Sequence, residues 1–356
     1  MQPRILLRTH YQADEPSLII AGTTKCCSPT ESRDEESVAA ALKRWGDKNQ
    51  YTISIPAAMY AIDNARHLGF LTKANRWSAS GLALAFLQEL TGRESSRELA
   101  PLEERLYFYA YLRGGGALVV AFAKWLLKVG TTTDEQLRKE AVLERLLAET
   151  LDEYLALAVE VRDRTELRHE RDRLRTLRYA SSTKRHKRYP LLKTMQRLRL
   201  LVMDEGDDLT AIRPDTSGRL AALCRVIPNV AELERLVRED VLQRRLDAEI
   251  GEASRRDLPN VGGASAVLLS AYDFAMQKGL QACPLQFLDE VLIAAFPSTT
   301  SKASPQAEQI LEPIHKQHPG VVRFHVDRRG KRAFVLIGAE ALRSLTAAVK
   351  RPTGST

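Results

Sequence analysis

The sequence predicts a mainly α-helical protein with small β-hairpins, built as compact units joined by a helical region that contains a long helix. Three observations carry this reading. Apolar residues recur at helical spacing along most of the chain. At three places a helical stretch is followed by two short apolar runs with a polar turn between them. And from Asp134 to Tyr179 there is neither proline nor glycine, so no breaker residue interrupts that stretch.

Residues 1–50 read as an appendage, with RILLRTHY and SLIIAG as short strands and a loop-like stretch after them. A first unit follows over 51–92. Ala58, Ile62, Ala65 and Leu68 mark a helix that Gly69 stops. Phe70-Leu71 is extended, Lys73 to Arg76 form a basic turn, and Ser78 or Ser80 caps the next helix. Residues 93–180 form the helical region. Leu99–Leu112 and Ala117–Lys128 pair across a tight turn at Gly114-Gly115-Gly116, and beyond Asp134 runs one very long helix or two in series. An uninterrupted helix there would reach about 65 Å at 1.5 Å per residue.

The second unit and its following helix occupy 181–250. Leu192, Met195 and Leu198 mark a helix, Leu200–Met203 and Leu209–Ile212 a hairpin around the acidic turn DEGDD, and Thr216-Ser217-Gly218 a helix start. This repeats the grammar of the first unit, an internal repeat of fold rather than of letters. The third unit covers 251–350, before a tail at 351–356. Ser265–Lys278 and Leu285–Ala294 are helices, Ser304-Pro305 opens a third, and Pro313 should kink or shorten it. Pro319-Gly320 ends that helix, and the hairpin FHVDRRGKRAFVLIG follows.

Composition bounds the function classes. With 44% hydrophobic and 28% charged residues among 356, the chain is globular rather than disordered. No apolar run approaches the roughly 20 residues of a membrane span, and no secretory signal opens the chain, so a cytoplasmic protein with no membrane partner is expected. Four cysteines, two of them adjacent, fit neither a disulfide framework nor a zinc site. The net charge of +8 is local: Val161–Arg199 carries fourteen Lys and Arg against four Asp and Glu, or +10, and the remainder is slightly acidic.

Catalytic motifs are missing. The glycine run lacks the Lys-Ser/Thr of a phosphate-binding loop, and His315, His318 and His325 lack ligand spacing. Asp204, Glu205, Asp207 and Asp208 read as a hairpin turn, and Trp77 and Trp125 as core or rim aromatics. No catalytic residue, metal or cofactor is assigned.

Three helices followed by a hairpin resemble the winged-helix domain, a helix-turn-helix variant found in bacterial DNA-binding proteins. Residues 265–338 resemble it best, and 52–90 and 187–225 look like shorter versions. The resemblance implies tandem winged-helix units, with the third helix in a DNA major groove and the hairpin tip, or wing, on phosphate or minor groove. It assigns Gln306, Gln309 and Lys316 to the helix face, and Arg323, Arg328, Arg329, Lys331 and Arg332 to the wing. Lys73 and Arg76 are the counterparts in the first unit. Arg175, Arg178, Lys184, Arg185, Lys187, Arg188 and Lys193, from the basic segment, would grip phosphate beside them. The implied function is non-enzymatic binding of duplex DNA, in plasmid replication, transcription control or phage defence. The third helix departs from the pattern through Glu308, Glu312 and Pro313, and the acidic DEGDD turn would be repelled by phosphate. An architectural subunit whose winged helices bind partner proteins in an ATPase-associated complex is therefore the alternative, and self-association stays open with it.

Overall fold

The computed structural model describes residues 4, 35–73, 77–79, 99, 101–158, 161–176, 191–205, 210–239, 241–250, 264–277, 282–295, 306–327 and 330–338. They are mostly helical, with small antiparallel sheets. The two strands expected before residue 35, apart from Arg4, lie outside them, as do Ser80-Gly81, the centre of the DEGDD turn and Ser304-Pro305.

Helices α1 (Glu35–Lys48) and α2 (Ile55–His67) pack together and lead into the two-stranded hairpin β1 (Leu71–Lys73) and β2 (Trp77–Ala79). Ser54 caps α2 by accepting from Ala57 N–H, and Pro56 sits in the first turn, where its missing N–H costs nothing. Gly69 ends the helix as expected, at φ +78°. Phe70 N–H donates to Ala65 C=O and Gly69 N–H to Arg66 C=O, both pairs of a Schellman stop. The helix at 191–197, α7, ends the same way. Leu200 N–H donates to Met195 C=O and Arg199 N–H to Gln196 C=O, with Arg199 at φ 54° in the place of the glycine. Each stop feeds straight into a strand and buries its following residue, Phe70 or Leu200, completely. The repeated grammar is thus a repeated helix ending.

The glycine run is not a turn. A single helix, α3 (Pro101–Val129), passes through it and is buried along most of its length. A Cβ on Gly114 would stand 2.4 Å from His67 O and 2.9 Å from Leu68 Cα, so the missing side chain lets α2 end directly on α3. The glycines mark a close approach of backbones, which from sequence looks the same as a break. Glu103–Val129 is consequently long and apolar enough to cross a membrane, contrary to the reading of short apolar runs, but its most apolar window is 83% buried inside the fold.

The long helix beyond it is also corrected. It is divided into α4 (Asp134–Lys139), α5 (Val142–Leu157) and α6 (Val161–Thr176). Ala141 turns left-handed at φ 48°, and Ala158 is extended at ψ 119°. Arg171 on α6 meets Asp152 on α5 at 3.0 Å. Along one helix those residues would lie almost 30 Å apart, at about 1.5 Å each. The two helices therefore fold back on one another, with Leu167 buried between them.

The strands after α7, β4 (Leu201–Glu205) and β5 (Thr210–Pro214), gain a third partner in β3 (Thr132–Thr133), which follows α3; the order is β3-β5-β4. Helices α8 (Arg219–Val226), α9 (Val230–Arg238) and α10 (Leu242–Ile250) complete this part. The last part runs α11 (Ala264–Gln277), β6 (Cys283–Pro284), α12 (Leu285–Ala295), α13 (Ala307–Gln317), β7 (Val322–Val326) and β8 (Arg332–Ile337), with sheet order β6-β8-β7. Helix α13 runs through Pro313 without being cut short, and its first residue is Ala307, after Gln306 at the cap position. Asp289 of α12 accepts from Ala307 N–H at 2.6 Å, so the helix start is held from a neighbouring helix.

Buried charges fasten α3. Arg105 forms a two-point pair with Asp247 of α10, its Nε donating to Oδ1 at 2.6 Å. Glu104 bridges Arg219 of α8 and Arg199, the latter at 3.3 Å. Replacing Gly114 by alanine pushes a Cβ into backbone, which has little freedom to yield; a loss of ~1–3 kcal/mol or more is expected. Gly320→Ala has open space and serves as the control. Thermal unfolding of the two variants should show a lowered midpoint for Gly114→Ala alone.

Candidate nucleic-acid interface

Helix α13 stands on its buried side on Ala307 and Leu311, with Ile310 and Ile314 half-buried against the core. Its outer side exposes Glu308, Gln309, Pro313, Lys316 and Gln317, while Gln306 is exposed at the cap position before the first turn. Gln306, Gln309 and Lys316 thus lie on the open side of one helix, as the sequence anticipates. Lys316 stands 3.7 Å from Glu312.

The hairpin of β7 and β8 carries a register shift between His325 and Val326, and Asp327 closes its end. Its N–H donates to Lys331 C=O, its carbonyl accepts from Gly330 N–H, and its carboxylate accepts from Lys331 N–H at 3.0 Å. Gly330 adopts φ +75°, which its missing Cβ permits. Arg323 and Lys331 are exposed. Arg328 and Arg329 lie outside the described residues.

Arg332 is not free at the tip. Its guanidinium donates to Glu308 at 2.9 Å and to Glu312, and it lies 4.4 Å above the centre of the Phe324 ring. His315 turns its edge to the same ring at 5.2 Å, and its Nδ1 pairs with Val322 O at 2.7 Å. A clamp therefore joins hairpin and helix and offsets part of the charge of the two carboxylates that make α13 poor in positive charge. The i, i+4 spacing of Glu308 and Glu312 puts both on one helix face. The strand partner that answers them was not legible before the hairpin was placed.

The basic segment is only partly within view. Arg178, Lys184, Arg185, Lys187 and Arg188 lie outside the described residues, as does Arg76. Arg175 lies in α6 and Lys73 in β1. On α6, Arg164 and Arg168 are exposed; Arg164 Nε donates to Ala158 O, and Arg171 pairs with Asp152 and Asp172. Lys193 is half-buried on α7. That helix buries residues 191, 192, 194 and 195, so little of it could enter a groove. In the hairpin after it, Arg213 pairs across the strands with Asp204 at 2.9 Å.

Other candidates have other duties. Among the described residues no three His, Cys, Asp or Glu side chains are grouped for a metal. Cys283 is buried, which pushes its thiol up to about 12, far from a reactive thiolate. Trp125 packs against Phe122. Comparison with protein families, curated proteins and solved structures finds no match to this chain.

The Arg332 guanidinium holds the Glu312 carboxyl below its ordinary value of 4.5. A carboxyl lowered in the fold binds fewer protons there than in the unfolded chain. The clamp is accordingly at full strength above that ordinary value and is lost as pH falls through the lowered one. Limited proteolysis of the wing should accelerate in that acid window, and Glu312→Gln should show the acid-like rate already at neutral pH.

Proposed function

We propose that this chain is a non-enzymatic protein that binds duplex DNA through winged-helix units, with an arginine-bearing helix beside them. The observation that carries the proposal is the element order of the last part. Helix α11 precedes β6, α12 and α13 come next, and β7 and β8 close a sheet in which the last strand lies in the middle. That order and strand arrangement supports the winged-helix reading, in which α13 would take the groove-reading position. The middle part supports it with the same β3-β5-β4 arrangement, α3 before β3, and α4 and α7 between β3 and β4. Helices α5 and α6 are then an insertion in a winged helix, and α6 begins the segment of +10 charge.

In this reading the last unit makes the closest DNA contact. Exposed Gln306 and Gln309 face base edges, Arg323 and Lys331 hold phosphate, and Arg332 lessens the repulsion between the helix carboxylates and the backbone. Arg164 and Arg168 on α6 add phosphate contacts of a sequence-independent kind. Mobility shifts of a duplex across salt concentrations test it. Binding should weaken steeply with salt, and Arg323→Glu with Lys331→Glu should cut affinity and lower the log–log salt slope by about 1 per lost phosphate contact. Binding that is absent, or indifferent to salt, overturns the proposal.

One observation favours a second reading for the middle unit. Its α7 is buried on residues 191, 192, 194 and 195, and the first strand of its hairpin ends in Asp204-Glu205, so that unit suits a protein partner better than DNA. An architectural role of this kind requires a stable partner or dimer. Light scattering on the purified chain should give more than one monomer mass if it self-associates, whereas a lone monomer at all concentrations leaves only a foreign partner.

A further inference from the structure

The last sheet has two faces of different character. The inner one carries Val322, Val335 and Ile337, all buried, and Phe324, over whose ring Arg332 and His315 close. Successive side chains of a strand point to opposite faces, so Arg323, His325, Phe334 and Leu336 share the outer one. The register sets Phe334 opposite His325 of β7 on one side and Pro284 of β6 on the other, and it sets Leu336 opposite Arg323. A phenyl ring in the central strand is thus flanked by an imidazole and a proline ring, each one strand spacing away, about 4.8 Å.

The outer face is not made like an ordinary solvated one. An antiparallel sheet with one open face puts polar residues there, but here the central strand puts Phe334 and Leu336. Phe334 keeps 40% of its surface open, Leu336 and Pro284 are half-buried, and Arg323 and His325 are exposed. Charge narrows what could cover the ring. None of the three strands contains an aspartate or a glutamate. Arg323 stands beside the apolar row, with Lys331 exposed at the end of the hairpin, while Glu308 and Glu312 are held on the opposite side by Arg332. A ring framed by cations suits a ligand that is aromatic and anionic at once, and a nucleotide is both. Inside a duplex each base is covered on its two faces by its neighbours, so a base that stacks on Phe334 is an unpaired one.

We propose that the outer face of the β6-β8-β7 sheet is a stacking platform for an unpaired base, with Phe334 against the base and Arg323 on the adjoining phosphate. The inference rests on the DNA-binding reading and adds the class of DNA, a duplex with a single-stranded stretch beside it. Helix α13 and Phe334 lie on opposite sides of the sheet, so a duplex held by the helix leaves the ring to a strand that has left the pairing.

Anisotropy titrations of the full chain with three labelled probes test it: a blunt duplex, the same duplex with a single-stranded tail, and the tail alone. The tailed duplex should bind ~10-fold more tightly than the blunt one, the gain of one stacked base. Phe334→Ala should remove that preference and leave the blunt duplex affinity unchanged. Phe334→Leu, which keeps apolar bulk without a ring, should do the same and serves if the alanine variant does not fold; Phe334→Tyr should keep the preference. Equal wild-type affinity for tailed and blunt duplexes overturns the platform and leaves the duplex reading standing, as does a loss in Phe334→Ala that is the same for both. Tail binding that depends on Phe334, without any affinity for the blunt duplex, supports the platform and overturns the duplex reading. If no probe binds, both fall. A tail preference that survives Phe334→Ala, together with a fall in mass by light scattering, marks the face as a protein contact and overturns the platform.

Discussion

One buried helix constrains everything else in this fold. Helix α3 contacts α5, α8, α9, β5 and α12, and at Gly114 it takes the end of α2 against its own backbone. Apolar burial supplies the bulk of that cohesion, since residues such as Tyr107, Phe122 and Leu126 are almost completely covered. It does not fix the axial position of one helix against another. The charged residues at the start of α3 do that. A two-point Arg105–Asp247 pair and the Glu104 bridge to Arg219 and Arg199 tolerate no slip, because a shifted helix would strand charges away from water.

The consequence is an interlaced chain. The middle sheet takes its first strand from the residues just after α3 and its other two from beyond α6, so the sheet closes only when α4 to α7 are in place. Contacts between Thr132–Thr133 and Ala211–Ile212 are distant in sequence, whereas those of the α5–α6 hairpin are local. The last part is more self-contained. Tyr272 of α11 donates to Ile337 C=O and accepts from Ile337 N–H at 2.7 Å, so one hydroxyl satisfies both backbone groups of a residue in the central strand.

Much of this was legible in the sequence, and the misses have physical causes. The bounds of α2, α11 and α12, and the hairpins at 201–214 and 322–337, follow from periodicity and local stop signals that tertiary structure leaves intact. Gly114 to Gly116 misled because glycine permits both a turn and a close approach, and only the neighbour at His67 decides between them. The breaks at Ala141 and Ala158 carry no breaker residue; they are imposed by packing, the first with a left-handed alanine. Strands of two residues, Thr132–Thr133 and Cys283–Pro284, have no period to detect. Of the candidate site, the exposure of Gln309, Lys316, Arg323 and Lys331 on one helix and one hairpin, and of Gln306 just before that helix, follows from the sequence pattern. The engagement of Arg332 by Glu308 and Glu312 needed the third dimension.

The Asp289 cap on α13 bears on how any anion could meet that helix. The first turn of a helix is ordinarily its most attractive point for a negative group, because unpaired N–H donors and the positive end of the dipole coincide there. Here a carboxylate from α12 already accepts from Ala307 N–H, so the positive pole is occupied by the protein's own charge. A polyanion approaching head-on would meet a resident competitor. An anion would find the more favourable approach from the flank, along Gln309, Lys331 and Arg323.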